Sequence, residues 1–350
     1  MWVIILFKRV LILIFSFLLL PVNAFAFEND GISAECAVVI DAASHKVLYE
    51  KNAYLKHSMA STTKLMTCLI ACESGKLNET VTISGDMLNS AEGTSLYLKA
   101  GDRITLLDLV KGAMLESGND AANAIAFYIS GDINSFCALM NKRANEIGMY
   151  NTNFVTPSGL DARLHYSSAY DMAILGAYCC NNNALCDVAS KVSDTITVNN
   201  ADRTLYNHNK LLQKSKHFKG FKTGFTKKSG RCLVSAFEYG GSTLITVTLN
   251  APDDWNDHFK LVRFAKKSYN TAENKISLTV NSVGSQQKSV KCCYSYKLKT
   301  IGTVTAKLYY YPFVYAPLKA GEVIGKAELY SGETLIETVN IYSQEDLSYG

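Results

Sequence analysis

The sequence predicts an α/β (α+β) unit over residues 27–270, an antiparallel sheet flanked by helices, followed by an all-β domain over 276–350. Three observations predict it. Strand-like runs stand near both ends of the first unit, "CAVVIDAASHKVLYEKN" early and "RCLVSAFEY" with "STLITVTLN" late, so distant segments must complete one sheet. Helical periodicity fills the interval between them. Beyond residue 276 come short β-branched and tyrosine-rich runs, "ISLTVN", "TVTAKLYYY", "GKAELYS" and "ETLIETVNIYS", with no long helical period.

The chain opens with Lys8 and Arg9, an apolar run from Val10 to Leu20, Pro21, and the small-residue pattern Ala24-Phe25-Ala26. This predicts an export signal over residues 1–26, cleaved after Ala26, with an uncleaved anchor as the other reading. The two strand-like runs around Ala43-Ser44-His45 predict a hairpin. Helices follow at Ser61–Ser74 with Gly75 as stop, Leu106–Leu115, Asp120–Ile129, Ile133–Ile147 and Ser168–Cys180, each from apolar spacing near 3.6 residues. "FKGFKTGF", "RCLVSAFEY" and "STLITVTLN" are expected strands, the last two joined by Gly240-Gly241. A helix near Asp257–Tyr269 closes the unit, and "NTAENK" is expected to be a linker.

The bulk numbers exclude more than they select. A hydrophobic content of 48% over 350 residues fits a packed globular protein and excludes disorder. The net charge of +4, from 35 basic and 31 acidic residues, comes without a Lys/Arg block, so nucleic acid is not an expected partner. Ten cysteines include the adjacent pairs Cys179-Cys180 and Cys292-Cys293 and no matched pair of C-x-x-C motifs, so most are expected as buried apolar residues and no zinc site is expected. The six histidines form no H-E-x-x-H motif, and no metal or cofactor is expected. His208 and Lys214 precede the third motif described below and could border a cleft. The run Tyr309-Tyr310-Tyr311 is expected to place alternate rings in a β core and at its surface, with sugar stacking as the other use.

The chemistry begins at "MASTTKLMTCLIACESG", where Ser61 and Lys64 stand three positions apart at the head of a helix. That spacing puts both side chains on one face, where an unprotonated amine can take the serine proton. Such a lysine needs burial or a neighbouring cation to lower its pKa. Spacing alone is weak evidence, because Ser285 and Lys288 repeat it in the β domain. Two further elements supply specificity: Ser117-Gly118-Asn119 just before a helix, and Lys222-Thr223-Gly224 in a strand.

These three elements, in this order, are similar to the Ser-x-x-Lys, Ser-Asp-Asn (here Ser-Gly-Asn) and Lys-Thr-Gly set of β-lactamases and penicillin-binding proteins. With "EGTSLYLKAGDRITLLDLVKGAMLESGNDAANAIA", "TPSGLDARLHYSSAYDMA" and "GFKTGFTKKSGRCLVSA", the chain resembles the low-molecular-mass penicillin-binding proteins, the serine-type D-alanyl-D-alanine carboxypeptidases, from about Cys36 to its C-terminus. The resemblance implies a penicillin-binding/β-lactamase-like catalytic domain. Its substrate would be a peptidoglycan stem peptide ending in D-Ala-D-Ala, and β-lactam antibiotics would inhibit it covalently. By the same resemblance Ser61 is the nucleophile, Lys64 its base, and Ser117 and Asn119 the proton relay and substrate-amide contact. Lys222 and Thr223 would hold the terminal carboxylate, Gly224 would let the substrate approach, and the N–H groups of Ser61 and Phe225 would form the oxyanion hole. Phe225 stands where some relatives carry His, which is expected to alter rate or pH dependence.

A class A β-lactamase needs a carboxylate to activate water for deacylation. The one glutamate between Asn119 and Lys222, Glu146, is placed by sequence at a helix end. A β-lactamase-like hydrolase, a penicillin sensor and a wall-binding scaffold remain as alternatives. An extracytoplasmic location, at the cell wall or the outer face of the cytoplasmic membrane, is expected, with membrane association left open: the terminal "SQEDLSYG" has no basic amphipathic stretch.

Overall fold

The computed structural model describes residues 31–89, 92–332 and 334–350; the expected export signal lies outside these residues. In chain order come β1 (Cys36–Asp41), β2 (Val47–Lys51), a 3-10 turn (Ala60–Thr63), α1 (Lys64–Glu73), β3 (Thr80–Thr82), a short α2 (Gly85–Leu88), β4 (Arg103–Thr105), α3 (Leu106–Leu115), α4 (Asn119–Ser130) and α5 (Ile133–Glu146). They are followed by α6 (Ala169–Cys180), α7 (Asn183–Ser190), the hairpin β5 (Ser193–Val198) and β6 (Ala201–Tyr206), α8 (Leu211–Lys214), β7 (Thr223–Thr226), β8 (Gly230–Tyr239), β9 (Ser242–Leu249) and α9 (Asp254–Lys267). The β domain contains β10 (Asn270–Val283), β11 (Ser289–Thr300), β12 (Val304–Tyr310), β13 (Phe313–Tyr315), β14 (Val323–Ser331) and β15 (Thr334–Ser343).

The central sheet has the order β2-β1-β9-β8-β7 and is antiparallel throughout. The early hairpin joins the late one as β1 pairs with β9, from Cys36↔Leu249 to Asp41↔Leu244. All six residues of β1 are buried, which requires both faces of the sheet to be covered. Strand alternation sorts the residues between the faces. Ile245, Val247 and Leu249 of β9 belong to the core under the helices. There α6 lies so flat that a Cβ on Gly176 would stand 2.7 Å from Cγ2 of Ile245. Thr248 and Ser235 instead meet His258 of α9, with Oγ1 of Thr248 3.1 Å from Nε2 and Oγ of Ser235 2.7 Å from Nδ1. Burial holds this imidazole neutral and pushes its pKa down to about 3.

The most fully satisfied buried carboxylate of this face is Asp257 of α9. It accepts from Ser33 N (2.9 Å), Ser33 Oγ (2.8 Å) and Ala34 N (2.9 Å), so α9 holds the segment leading into β1.

The β domain is a six-stranded sheet of order β12-β14-β15-β11-β10-β13 with its own core, including Val290, Cys292, Ala327, Leu329 and Ile341. Two expectations need correction here. "NTAENK" is not a linker: it forms the start of β10, pairing from Asn270↔Thr300 to Lys275↔Ser295. Its side chains are mostly exposed, so an outward strand carries the polar composition of a connector. Tyr309, Tyr310 and Tyr311 are all exposed instead of alternating, because β12 is an edge strand of which only Val304 packs on the core. No helix among the described residues is long and apolar enough to cross a membrane.

Asp257→Ala would leave two backbone N–H groups without their acceptor, one of them buried. Each stranded donor costs about 1–3 kcal/mol. Urea unfolding should show a lower midpoint at unchanged slope.

Candidate active site

The 3-10 turn delivers Ser61 to the head of α1. Ala60 sits at φ +47°, a left-handed conformation uncommon outside glycine, and the Met59 carbonyl accepts both the Thr62 N–H and, at 2.6 Å, its hydroxyl. The chain thereby turns sharply enough that Ser61 is half-buried while Lys64, one turn on, is wholly buried. The Lys64 Nζ contacts three oxygens: Ser61 Oγ at 3.0 Å, Asn119 Oδ1 at 2.7 Å and the Ser158 carbonyl at 2.6 Å. Burial lowers its pKa well below the usual lysine value, and the charge of Lys222 acts in the same direction; Cys68 and Asp120 oppose both. A neutral amine has two N–H groups and one lone pair. Given to the two carbonyl oxygens, those N–H groups leave the lone pair for the proton of Ser61.

Asn119 is the first residue of α4, and its Nδ2 donates to the Glu92 carbonyl at 2.5 Å. Ser117 precedes it in the loop after α3, buried and at φ +64°. That loop, and not a direct hydrogen bond to Ser61 or Lys64 among the described residues, positions it. The next residue, Asp120, accepts from Ser95 Oγ (2.6 Å), Leu96 N (2.9 Å) and Leu98 N (3.1 Å), fastening the 92–98 segment to the helix start.

The opposite wall is the strand edge. Lys222 N and O both bond to Val234, at 3.0 and 2.9 Å. By antiparallel alternation, Thr223 and Phe225 therefore turn their N–H and C=O groups away from β8, toward the open edge of the sheet. A Cβ on Gly224 would stand 3.0 Å from Ser61 N and 3.1 Å from Met59 O, so β7 lies directly against the 3-10 turn that carries Ser61. The Phe225 ring is exposed. Lys222 is buried, yet its Nζ has no hydrogen-bond partner among the described residues, and burial pushes its pKa down to about 8. A buried ammonium with free donors is suited to an anion.

The floor of the site is residues 155–165, most of which lie in the stretch "TPSGLDARLHYSSAYDMA", to whose residues the sequence assigns no role. Pro157 O accepts from Thr67 Oγ1 (2.6 Å) and Ser158 O from Lys64. Gly159, at φ +85°, has no room for a side chain, since a Cβ would be 1.9 Å from Ala60 O. His165 fixes the loop from below. Its Nδ1 accepts from Val155 N at 2.9 Å, so its Nε2–H donates to Thr63 Oγ1 at 2.9 Å. Its pKa falls to about 4 through burial, then the charge of Lys228. Asp161 accepts from Thr226 Oγ1 at 3.1 Å, joining this loop to the end of β7. A groove of about 1130 Å³ opens beside it, lined by Glu92, Asn123, Ser158, Asp161 and Thr226 among others.

His208 lies 3.8 Å from Glu116; burial and the charge of Lys222 lower its pKa, against Glu116. Glu146 is engaged with Lys142 and Arg143 on the outer side of α5. Among the described residues no cluster of three or more His, Cys, Asp or Glu side chains could hold a metal ion.

Residues 23–253 match the family model described as D-alanyl-D-alanine carboxypeptidase, and residues 256–349 the model described as penicillin-binding protein 5, C-terminal domain. The chain is 30% identical over 334 residues to D-alanyl-D-alanine carboxypeptidase DacF of Bacillus subtilis, covering 90% of this chain and 86% of that one. To D-alanyl-D-alanine carboxypeptidase DacC of Escherichia coli it is 32% identical over 378 residues, covering 96% and 90%. Among solved structures it is similar to penicillin binding protein 5 from Haemophilus influenzae, with a TM-score of 0.64, 28% identity, and coverage of 91% and 98%.

His165 is held neutral in the fold, so its contribution to stability is complete above its unfolded pKa of 6.5 and is lost as pH falls from there toward about 4. That loss amounts to about 3 kcal/mol. In urea titrations across this window, His165→Asn should show a shallower loss of stability with falling pH than the parent chain.

Proposed function

The chain belongs to the D-alanyl-D-alanine carboxypeptidase family of serine-type hydrolases, and on that footing we propose that it removes the terminal D-alanine of peptidoglycan stem pentapeptides through an acyl-enzyme on Ser61. The supporting observation is the three-oxygen cage around Lys64 Nζ, with Ser61 Oγ as its third member. The neutral Lys64 amine takes the Ser61 proton as Oγ attacks the carbonyl of the penultimate D-alanine. General-base assistance of this kind is worth about 10²- to 10⁴-fold. The developing oxyanion lies between the N–H groups of Ser61 and Phe225, the first free at a helix start and the second turned outward at the strand edge.

The substrate carboxylate is held by Lys222, whose Nζ lacks another partner among the described residues, and by Thr223. Its backbone adds to the edge of β7, which Gly224 allows to pass close to the nucleophile. As the tetrahedral intermediate collapses, the amine of the departing D-alanine receives the proton, with Ser117 as relay and Asn119 contacting the substrate amide. Water then hydrolyses the ester and Ser61 recovers its proton. A penicillin, whose strained amide and carboxylate present the same features, acylates Ser61 instead. In this reading residues 27–270 are the catalytic domain of an exported enzyme acting at the wall, and residues 276–350 set its distance from that surface. The ion pairs of Glu146 are support against a β-lactamase of the kind that uses a glutamate for deacylation.

Ser61→Ala should abolish covalent penicillin labelling in intact-protein mass spectrometry. Lys64→Arg should do the same, because a guanidinium cannot accept a proton; labelling at a near-parental rate would refute the assignment of the base. Lys222→Ala should reduce kcat/KM for a D-Ala-D-Ala peptide about 10- to 100-fold, the usual size for a lost charge-assisted hydrogen bond. Lys288→Ala should behave as the parent.

A further inference from the structure

All ten cysteines are free thiols, and the reaction uses none of them. Five of them, Cys68 and Cys72 of α1, Cys179 and Cys180 of α6, and Cys186 of α7, lie on three helices that pack on one another. Cys68 and Cys179 are fully buried, whereas Cys180 and Cys186 are partly exposed to solvent. Cys180 ends α6, and Asn182 caps α7 by accepting from Leu185 N at 3.0 Å, so the chain doubles back within two residues. This brings Cys186 Sγ to 3.2 Å from the Cys179 carbonyl and 3.4 Å from that of Cys180. Cys186 Sγ donates to both carbonyls and so is seated against the end of α6 that carries Cys180, and the two thiols act on one another's ionisation.

We propose that Cys180 and Cys186 form a redox modification site, a dithiol that a small disulfide oxidant converts to an intramolecular disulfide. Cys186 Sγ lies 3.4 Å from the Cys180 carbonyl, so the two residues already meet where the chain doubles back, which is what a short bridge requires. Two neighbouring arrangements are less suited. Cys179-Cys180 are consecutive along one helix, and Cys179 is buried. Cys72, on α1, feels the charge of Cys186, but the thiol that acts most on Cys186 is Cys180.

Cys180 favours the thiolate of Cys186 and, in return, has its own pKa raised. Cys186 is accordingly the attacking sulfur. Its thiolate displaces one glutathione thiolate from glutathione disulfide and forms a mixed disulfide. Cys180 then gives its proton to solvent and attacks Cys186 Sγ, releasing the second glutathione thiolate. Two electrons pass from the protein to the oxidant. The bridge would tie the end of α6 to α7, and the Ala189 carbonyl of α7 is the surface on which Gly220 rests, two residues before Lys222.

The test is to incubate the native full chain with glutathione disulfide, alkylate the remaining thiols, and map the product by mass spectrometry after chymotryptic cleavage at Tyr178 and Leu185. The expected result is one bridge joining the 179–185 peptide to the peptide that begins at Cys186, with a raised unfolding temperature that dithiothreitol reverses. Cys180→Ser should leave a persistent glutathione adduct on Cys186, and Cys186→Ser should leave the 179–185 peptide unmodified. A bridge from Cys186 to Cys72, a bridge that survives in Cys180→Ser, or a native protein whose thiols all remain alkylatable would overturn the proposal. Neither cysteine lies in the catalytic machinery, so penicillin labelling of the variants should match the parent, and the mapping reads out independently of the proposed activity.

Discussion

Lys64 is a cation-forming side chain placed where a cation is poorly tolerated, and much of the first unit is arranged around that fact. Its amine is reached from three separate parts of the chain: the 3-10 turn with Ser61, the start of α4 with Asn119, and the 155–165 loop with Ser158. Each of those parts is fastened in turn, through the Met59 carbonyl, the Asp120 carboxylate and the His165 ring. A buried amine left without such acceptors would be costly to the fold, and a fully charged one would be useless as a base. Surrounding oxygens keep the amine hydrogen-bonded, while burial, and after it the field of Lys222, depresses its pKa. Structure and chemistry make the same demand of these residues.

Local signals carried much of this architecture. The runs giving α3, α4, α5 and α6 have apolar spacing, stop signals and caps close in sequence, and their ends fall within one or two residues of the expectation. The residues proposed to react stood out for a different reason, because three short motifs occur in a fixed order. Asp120, Ser158 and His165 were not legible as site-forming residues. Their partners lie 22 to 25 residues away for Asp120, 94 for Ser158 and 102 for His165, and no local pattern encodes such a pairing. "NTAENK" and the tyrosine run misled because composition reports exposure more directly than it reports secondary structure, and the outer residues of β10 and β12 are exposed.

The central sheet also shows how distant segments divide labour. β1 and β9 are buried on both sides and carry the hydrophobic load, while β7 has only four residues, none of them fully buried. The shortest strand of this sheet is the one beside Ser61. It is held by β8 on one side, by the 3-10 turn through Gly224, and by the contact between Asp161 and Thr226 at its far end.

That short strand has a consequence for the life of the folded protein outside catalysis. An unpaired strand edge is a template on which any extended chain, including a second copy, can begin to assemble. Here the hazard cannot be removed by covering the edge, because the open edge is what the reaction is proposed to need. The protection is local. Four residues offer few hydrogen bonds to a growing stack, and Lys227 and Lys228 follow at once, so a like copy arriving in register would meet its own charge. The geometry thereby favours a short, anionic, extended guest over a long neutral strand, and colloidal stability and ligand choice rest on the same few residues.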